Sequence, residues 1–153
     1  MSDAMPDHAT EFQANAASYI STLYALHADT LQRLAALPEE RRTVVTAHDA
    51  FGYLADAYSM NFIAPLGIDT EAEPSAQELA ALITQIREDG VAALFVENIT
   101  SPVLVQQIAD ETGLKIGGKL FSDALSERGG PATSYRAMFE HNLGQLLAAL
   151  ESS

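Results

Sequence analysis

The stretch VAALFVEN, residues 91–98, decides the fold. Its first six residues are apolar without a break, as in a strand buried on both faces. Upstream, Gly90 closes a helical pattern with Leu79, Leu82, Ile83 and Ile86 inward. That pattern starts at a capping box, with Ser75 as N-cap and Glu78 three residues on. Downstream, Ser101-Pro102 supplies a cap and a proline at the first helical position, and the helix runs through Val105, Ile108 and Ala109 to Gly113. A doubly buried strand between two helices is the pattern of right-handed βαβ units on a parallel sheet.

The same alternation continues outward. Residues 43–47, TVVTA, read as a second buried strand, ended by His48-Asp49 and followed by a short helix from Ala50 to Tyr58. Residues 61–65 and 114–116 suggest two more strands, with a loop over 117–130 and a last helix opened by Pro131. Before all of these, Phe12, Ala16, Tyr19, Leu23, Leu26, Thr30, Leu34 and Leu37 recur at steps of three and four. That spacing predicts one long helix with a single buried stripe, stopped by Pro38. Thirty helical residues would span about 45 Å, more than one small domain requires. The expected fold class is α/β: a small parallel sheet of about four strands with flanking helices, preceded by a long N-terminal helix.

Composition narrows the function. Eight Lys and Arg stand against 21 Asp and Glu, a formal charge of −13, which repels phosphate backbones and argues against nucleic-acid binding. There is no cysteine, so a metal site has only His, Asp, Glu and water to draw on. No apolar run approaches the roughly 20 residues of a membrane span, and no signal-peptide pattern opens the chain. Dinucleotide, P-loop, nucleophile-elbow and HExxH signatures are missing, and the glycine pairs at 117–118 and 129–130 lack the Lys-Ser/Thr of a phosphate cradle. The acidic run 69–73 lacks the spaced oxygens of a calcium loop and reads as a solvated segment.

Ligands of open parallel sheets sit outside the carboxyl ends of the strands. His48 follows the first strand, Glu97-Asn98 directly follows the VAALFV strand, and Asp123 lies a few residues past the last one, in the loop after Leu120-Phe121. These three groups are therefore expected at one edge, where a His with a carboxylate suits Zn²⁺ or Mn²⁺. On the residues alone, a plain reading stands beside this one: His48 capping the helix that follows. His8, His27 and His141 are expected in solvated or structural roles.

At these positions the chain resembles a known family. Residues 44–55, VVTAHDAFGYLA, are similar to the "HdAfgY" segment of the TroA-like zinc and manganese receptors of ABC importers. Residues 12–19, FQANAASY, look like the family's interlobe helix, and LFVE at 94–97 like its "vFvE" strand. FSDAL at 121–125, with Gly130-Pro131 and Tyr135, resembles its last ligand loop and closing helix. The resemblance implies metal ligands at His48 and Asp123, Asp49 and Glu97 in supporting positions, and no catalysis. It implies zinc ahead of manganese, because position 48 is His rather than Glu. It also implies a periplasmic setting, an ABC importer permease as partner of the full-length receptor, and a division into a polar lead over 1–7, an interlobe-type helix over 8–38 and a C-terminal lobe over 39–153. The family's other lobe, with two further histidines, has no counterpart here, so the face that would meet it is expected to be exposed and to favour a homodimer. The alternatives are a small metal-dependent α/β hydrolase, and a structural or dimerisation lobe without ligand.

Overall fold

The computed structural model describes residues 1–66 and 74–152, so the acidic run at 69–73 lies outside the described residues. Contacts divide the chain into Met1–Arg33 and Leu34–Ser153. The first unit holds a 3₁₀ turn at Pro6–His8 and most of a long helix, α1 (Ala9–Ala35). Along it the expected stripe is buried only toward its end: Thr30 and Leu34 are each 1% exposed, whereas Tyr19 is 48% exposed and Ile20 and Tyr24, beside the stripe, are 50% and 71% exposed. Periodicity reports that a face is built for burial, not what buries it. The helix also stops three residues before Pro38. Leu37 donates back to Leu34 in a tighter turn, and the Arg42 guanidinium caps the carbonyls of Ala35 and Leu37.

The second unit is a parallel sheet with helices on both faces. Its elements are β1 (Thr43–Val45), α2 (Gly52–Tyr58), β2 (Asn61–Ile63), α3 (Ala76–Glu88), β3 (Ala93–Glu97), α4 (Val103–Thr112), β4 (Ile116–Leu120) and α5 (Tyr135–Glu151). The strand order is β2-β1-β3-β4, with Val44 beside Phe62 on one side and Ala93 on the other. Alternate residues divide between two cores. Val44, Ala93 and Phe95 pack with Leu34, Tyr58 and the α5 leucines 143, 146, 147 and 150. Val45 and Leu94 pack with Leu82 and Ile86 of α3 and Val105 and Ile108 of α4. Burying Phe95 alone contributes about 1.5–3 kcal/mol relative to leaving it exposed.

Two boundaries depart from expectation for a physical reason. The last strand does not end at Ile116 but runs on through Gly117 and Gly118 to Leu120, with a register shift between Leu94 and Phe95. Both glycines are there for space. A Cβ on Gly117 would meet Ala149 and the Phe95 ring, and one on Gly118, at φ +150, would meet the Gln145 amide. Helix α5 lies that close to the strand. Nor does Pro131 open the last helix: Ser126 N–H first donates to the Ala132 carbonyl while its hydroxyl accepts from Ala132 N–H, and Ser134 then caps α5 by accepting from Ala137. Smaller shifts occur at α2, where Ala50 is held in a turn by the His48 carbonyl, and at α4, where Pro102 rather than Ser101 is the N-cap.

Candidate metal centre

The strand order creates the site. The chain leaves β1 toward β2 on one side, and leaves β3 toward β4 on the other, so a crevice opens between the carboxyl ends of β1 and β3. His48 hangs from β1 at this point. Its main chain continues the ladder as a bridge to Leu66, and its carbonyl accepts from the Thr46 hydroxyl and the Ala50 N–H. The residue is only 2% exposed, so its ring is fixed by surroundings rather than by solvent.

Each ring nitrogen faces a carboxylate. Nδ1 stands 2.7 Å from Oε2 of Glu97, whose side chain is fully buried. Among the described residues neither atom has another hydrogen-bond partner. At so short a distance between buried atoms, the proximity decides, and the two belong to each other. The other Glu97 oxygen, Oε1, accepts from the His48 main-chain N–H at 3.0 Å. Both ring nitrogens thus face carboxylates, and an ion taken at Nε2 requires the ring proton on Nδ1, where Glu97 accepts it. Nε2 lies 3.2 Å from Oδ2 of Asp123, whose side chain is 66% exposed.

The Nε2–Oδ2 separation is informative. Bonds of about 2.0–2.2 Å to nitrogen and oxygen in a tetrahedral zinc site place neighbouring donors about 3.3 Å apart. Without an ion the two atoms form an ordinary ring–carboxylate hydrogen bond, at a spacing that one ion could also span. Among the described residues, no three His, Asp or Glu side chains converge as a metal-holding group. Glu97 is spent on Nδ1 and the main chain, on the far side of the ring. Asp49 is exposed, and among the described residues no hydrogen bond or ion pair ties it to His48, Glu97 or Asp123.

The remaining histidines are elsewhere. His8 pairs with Glu11 at 3.4 Å on the first unit, and His27 lies on α1 beside Ile20, Leu23 and Tyr24. His141 donates Nε2–H to the Lys119 carbonyl and meets Phe121 edge-on. Two asparagines that sequence reading passed over attach to the Asp123 loop. Asn98 accepts from Ser122 N–H and donates to the Ala124 carbonyl, and buried Asn142 makes both such bonds with Phe121. A signal existed for Asn142: it occupies a polar position on the stripe continued by Leu143, Leu146 and Leu150.

A family model described as zinc-uptake complex component A, periplasmic, matches residues 1–149. The manganese-binding lipoprotein MntA of Bacillus subtilis is 34% identical over 155 residues, covering 98% of this chain and 51% of its own length. The iron-binding protein YfeA of Yersinia pestis is 35% identical over 130 residues, covering 85% and 42%. The solved periplasmic zinc-binding protein TroA of Treponema pallidum superposes with a TM-score of 0.90 at 33% identity, over 97% of this chain and 56% of that one. The chain spans about half the length of the curated relatives it matches.

Proposed function

The chain belongs to the family of zinc-uptake complex component A, periplasmic proteins, and from that premise we propose that it is the metal-binding C-terminal lobe of a receptor that delivers a divalent ion to an ABC importer. The ion is cargo, bound and released without being turned over. Its ligands here are His48 and Asp123, and the observation that carries this is the 3.2 Å between Nε2 and Oδ2. Three features favour this lobe reading over a hydrolase. The family is one of uptake components, the donor set comprises two side chains, and Glu97 is turned away from the ion. Imidazole in the donor set favours zinc over manganese, although the relatives are named for manganese, iron and zinc alike. The setting is periplasmic and the partner a membrane permease, both by analogy with the whole receptors. The apolar face of α1 around Ile20 and Tyr24 is the surface for a second lobe, or for a second copy of this chain.

The test is calorimetric titration of the chain with Zn²⁺, and with Mn²⁺ in competition. Weak, roughly 1:1 zinc binding is expected, because two protein ligands leave water in the other positions. His48→Ala and Asp123→Ala should each weaken it about tenfold or more, equivalent to about 1.4 kcal/mol or more. Zinc binding unchanged in both variants would discard the ligand assignment.

A further inference from the structure

Strand β3 lies between β1, which carries His48, and β4, which leads to Asp123. Its last residue and the next one reach both ways. Glu97 turns toward β1, with Oε1 on the His48 main-chain N–H at 3.0 Å and Oε2 at 2.7 Å from Nδ1. Asn98 turns toward the loop after β4. Its Oδ1 accepts from Ser122 N–H and its Nδ2 donates to the Ala124 carbonyl, each at 3.1 Å. These bonds bracket Asp123. Rotating the amide by half a turn would break both, so its orientation is fixed by its partners. Beyond it, Asn142 holds the Phe121 N–H and carbonyl at 2.9 and 2.7 Å. The main chain is held before and after Asp123, while the Asp123 side chain stays largely in solvent.

We propose that the Glu97-Asn98 dipeptide is the positioning device of the metal site: Glu97 orients the His48 ring and fixes its tautomer, and Asn98 sets the Asp123 loop, with neither touching the ion. The proposal rests on the reading of His48 and Asp123 as ligands. A carboxylate suits the first task because it accepts twice, from a main-chain N–H and from Nδ1–H. A primary amide suits the second because it accepts and donates at once. Outer partners of ligating histidines typically contribute 10- to 100-fold to metal affinity.

The experiment uses the full chain and Zn²⁺, with two metal-free readouts. Glu97→Gln should weaken zinc binding about 10- to 100-fold, and imidazole ¹⁵N spectra without metal should show the His48 tautomer balance shifting away from Nδ1–H. Asn98→Ala should weaken zinc binding, and should speed hydrogen exchange at the Ser122 amide. The effects should segregate. Glu97→Gln should add nothing in a His48→Ala background yet persist with Asp123→Ala, and Asn98→Ala should do the reverse. Should Glu97→Gln not fold, Glu97→Asp, too short to span both partners, replaces it. Folded variants with wild-type affinity, or losses independent of background, would overturn the proposal. If His48→Ala and Asp123→Ala leave zinc binding intact, the ligand reading fails, and an unchanged tautomer and Ser122 exchange rate would then overturn the positioning role as well.

Discussion

His48 and Asp123 contrast sharply as individual residues: one is sealed from solvent, the other two-thirds exposed. Their roles in stability should contrast as well. Asp123→Asn keeps the shape and removes the charge at an exposed site, so urea denaturation should place it within about 0.5 kcal/mol of the parent, while its zinc affinity falls. A large loss of stability would make Asp123 part of the fold rather than an ion ligand. Both positions were legible from sequence, because a residue a few steps past a buried strand emerges at the sheet's carboxyl edge. The strand-end rule alone set Glu97 beside the others as a possible donor, and only the resemblance gave it a supporting position. The register sets its carboxylate against the His48 ring. Asn98 and Asn142 bond to main chain, and side chain-to-main chain bonds leave no spacing pattern to read.

At the level of elements, caps were readable and a helix-to-strand approach was not. The Ser75–Glu78 capping box is present in both halves, at 3.3 and 2.8 Å. Hydrogen bonds from Ser75, its side chain first and then its main chain, hold the Glu78 carboxyl below the usual range. A depressed folded-state value means the contribution is present above the ordinary glutamate pKa and is lost as pH falls through the lowered one. Comparing the pH dependence of stability in the parent and in Glu78→Gln should therefore show the difference between them closing as acid is added. By contrast, Gly117-Gly118 read as a loop, because a glycine pair looks alike whether it turns the chain or admits a neighbour. Helix α5 decides the matter by pressing Ala149 and Gln145 against the strand. Gly118→Ala should cost about 1–3 kcal/mol from its backbone conformation alone, more with the displaced Gln145. Chemical denaturation checks this, and a neutral outcome would mean that the backbone at 118 relaxes to a conformation open to alanine.

For the molecule as a whole, the sequence announced more helix than one lobe uses. The first unit presents Tyr19, Ile20 and Tyr24 to solvent, and the family's members run to about twice this length. Aromatic and aliphatic groups repeated along one helix face are costly to leave wet. Sedimentation at increasing concentration should show self-association that the double substitution Ile20→Glu, Tyr24→Glu abolishes, while the zinc affinity stays that of the parent. A chain monomeric at every concentration would leave that face to a different partner. The net charge of −13 works against close approach of two copies, so association should strengthen with added salt.

On the proposed assignment of His48 and Asp123 as ligands, their unequal exposure implies an order in time. A hydrated cation arriving from solution meets the Asp123 carboxylate first, on a loop whose main chain is already held and which need not reorganise. Only after shedding water does the ion reach the lone pair of His48 beneath. Release runs backward through the same gate, so imidazole detachment sets the residence time and the outer carboxylate sets the rate of capture. Substitutions at 48 should register in dissociation kinetics, and those at 123 in association kinetics.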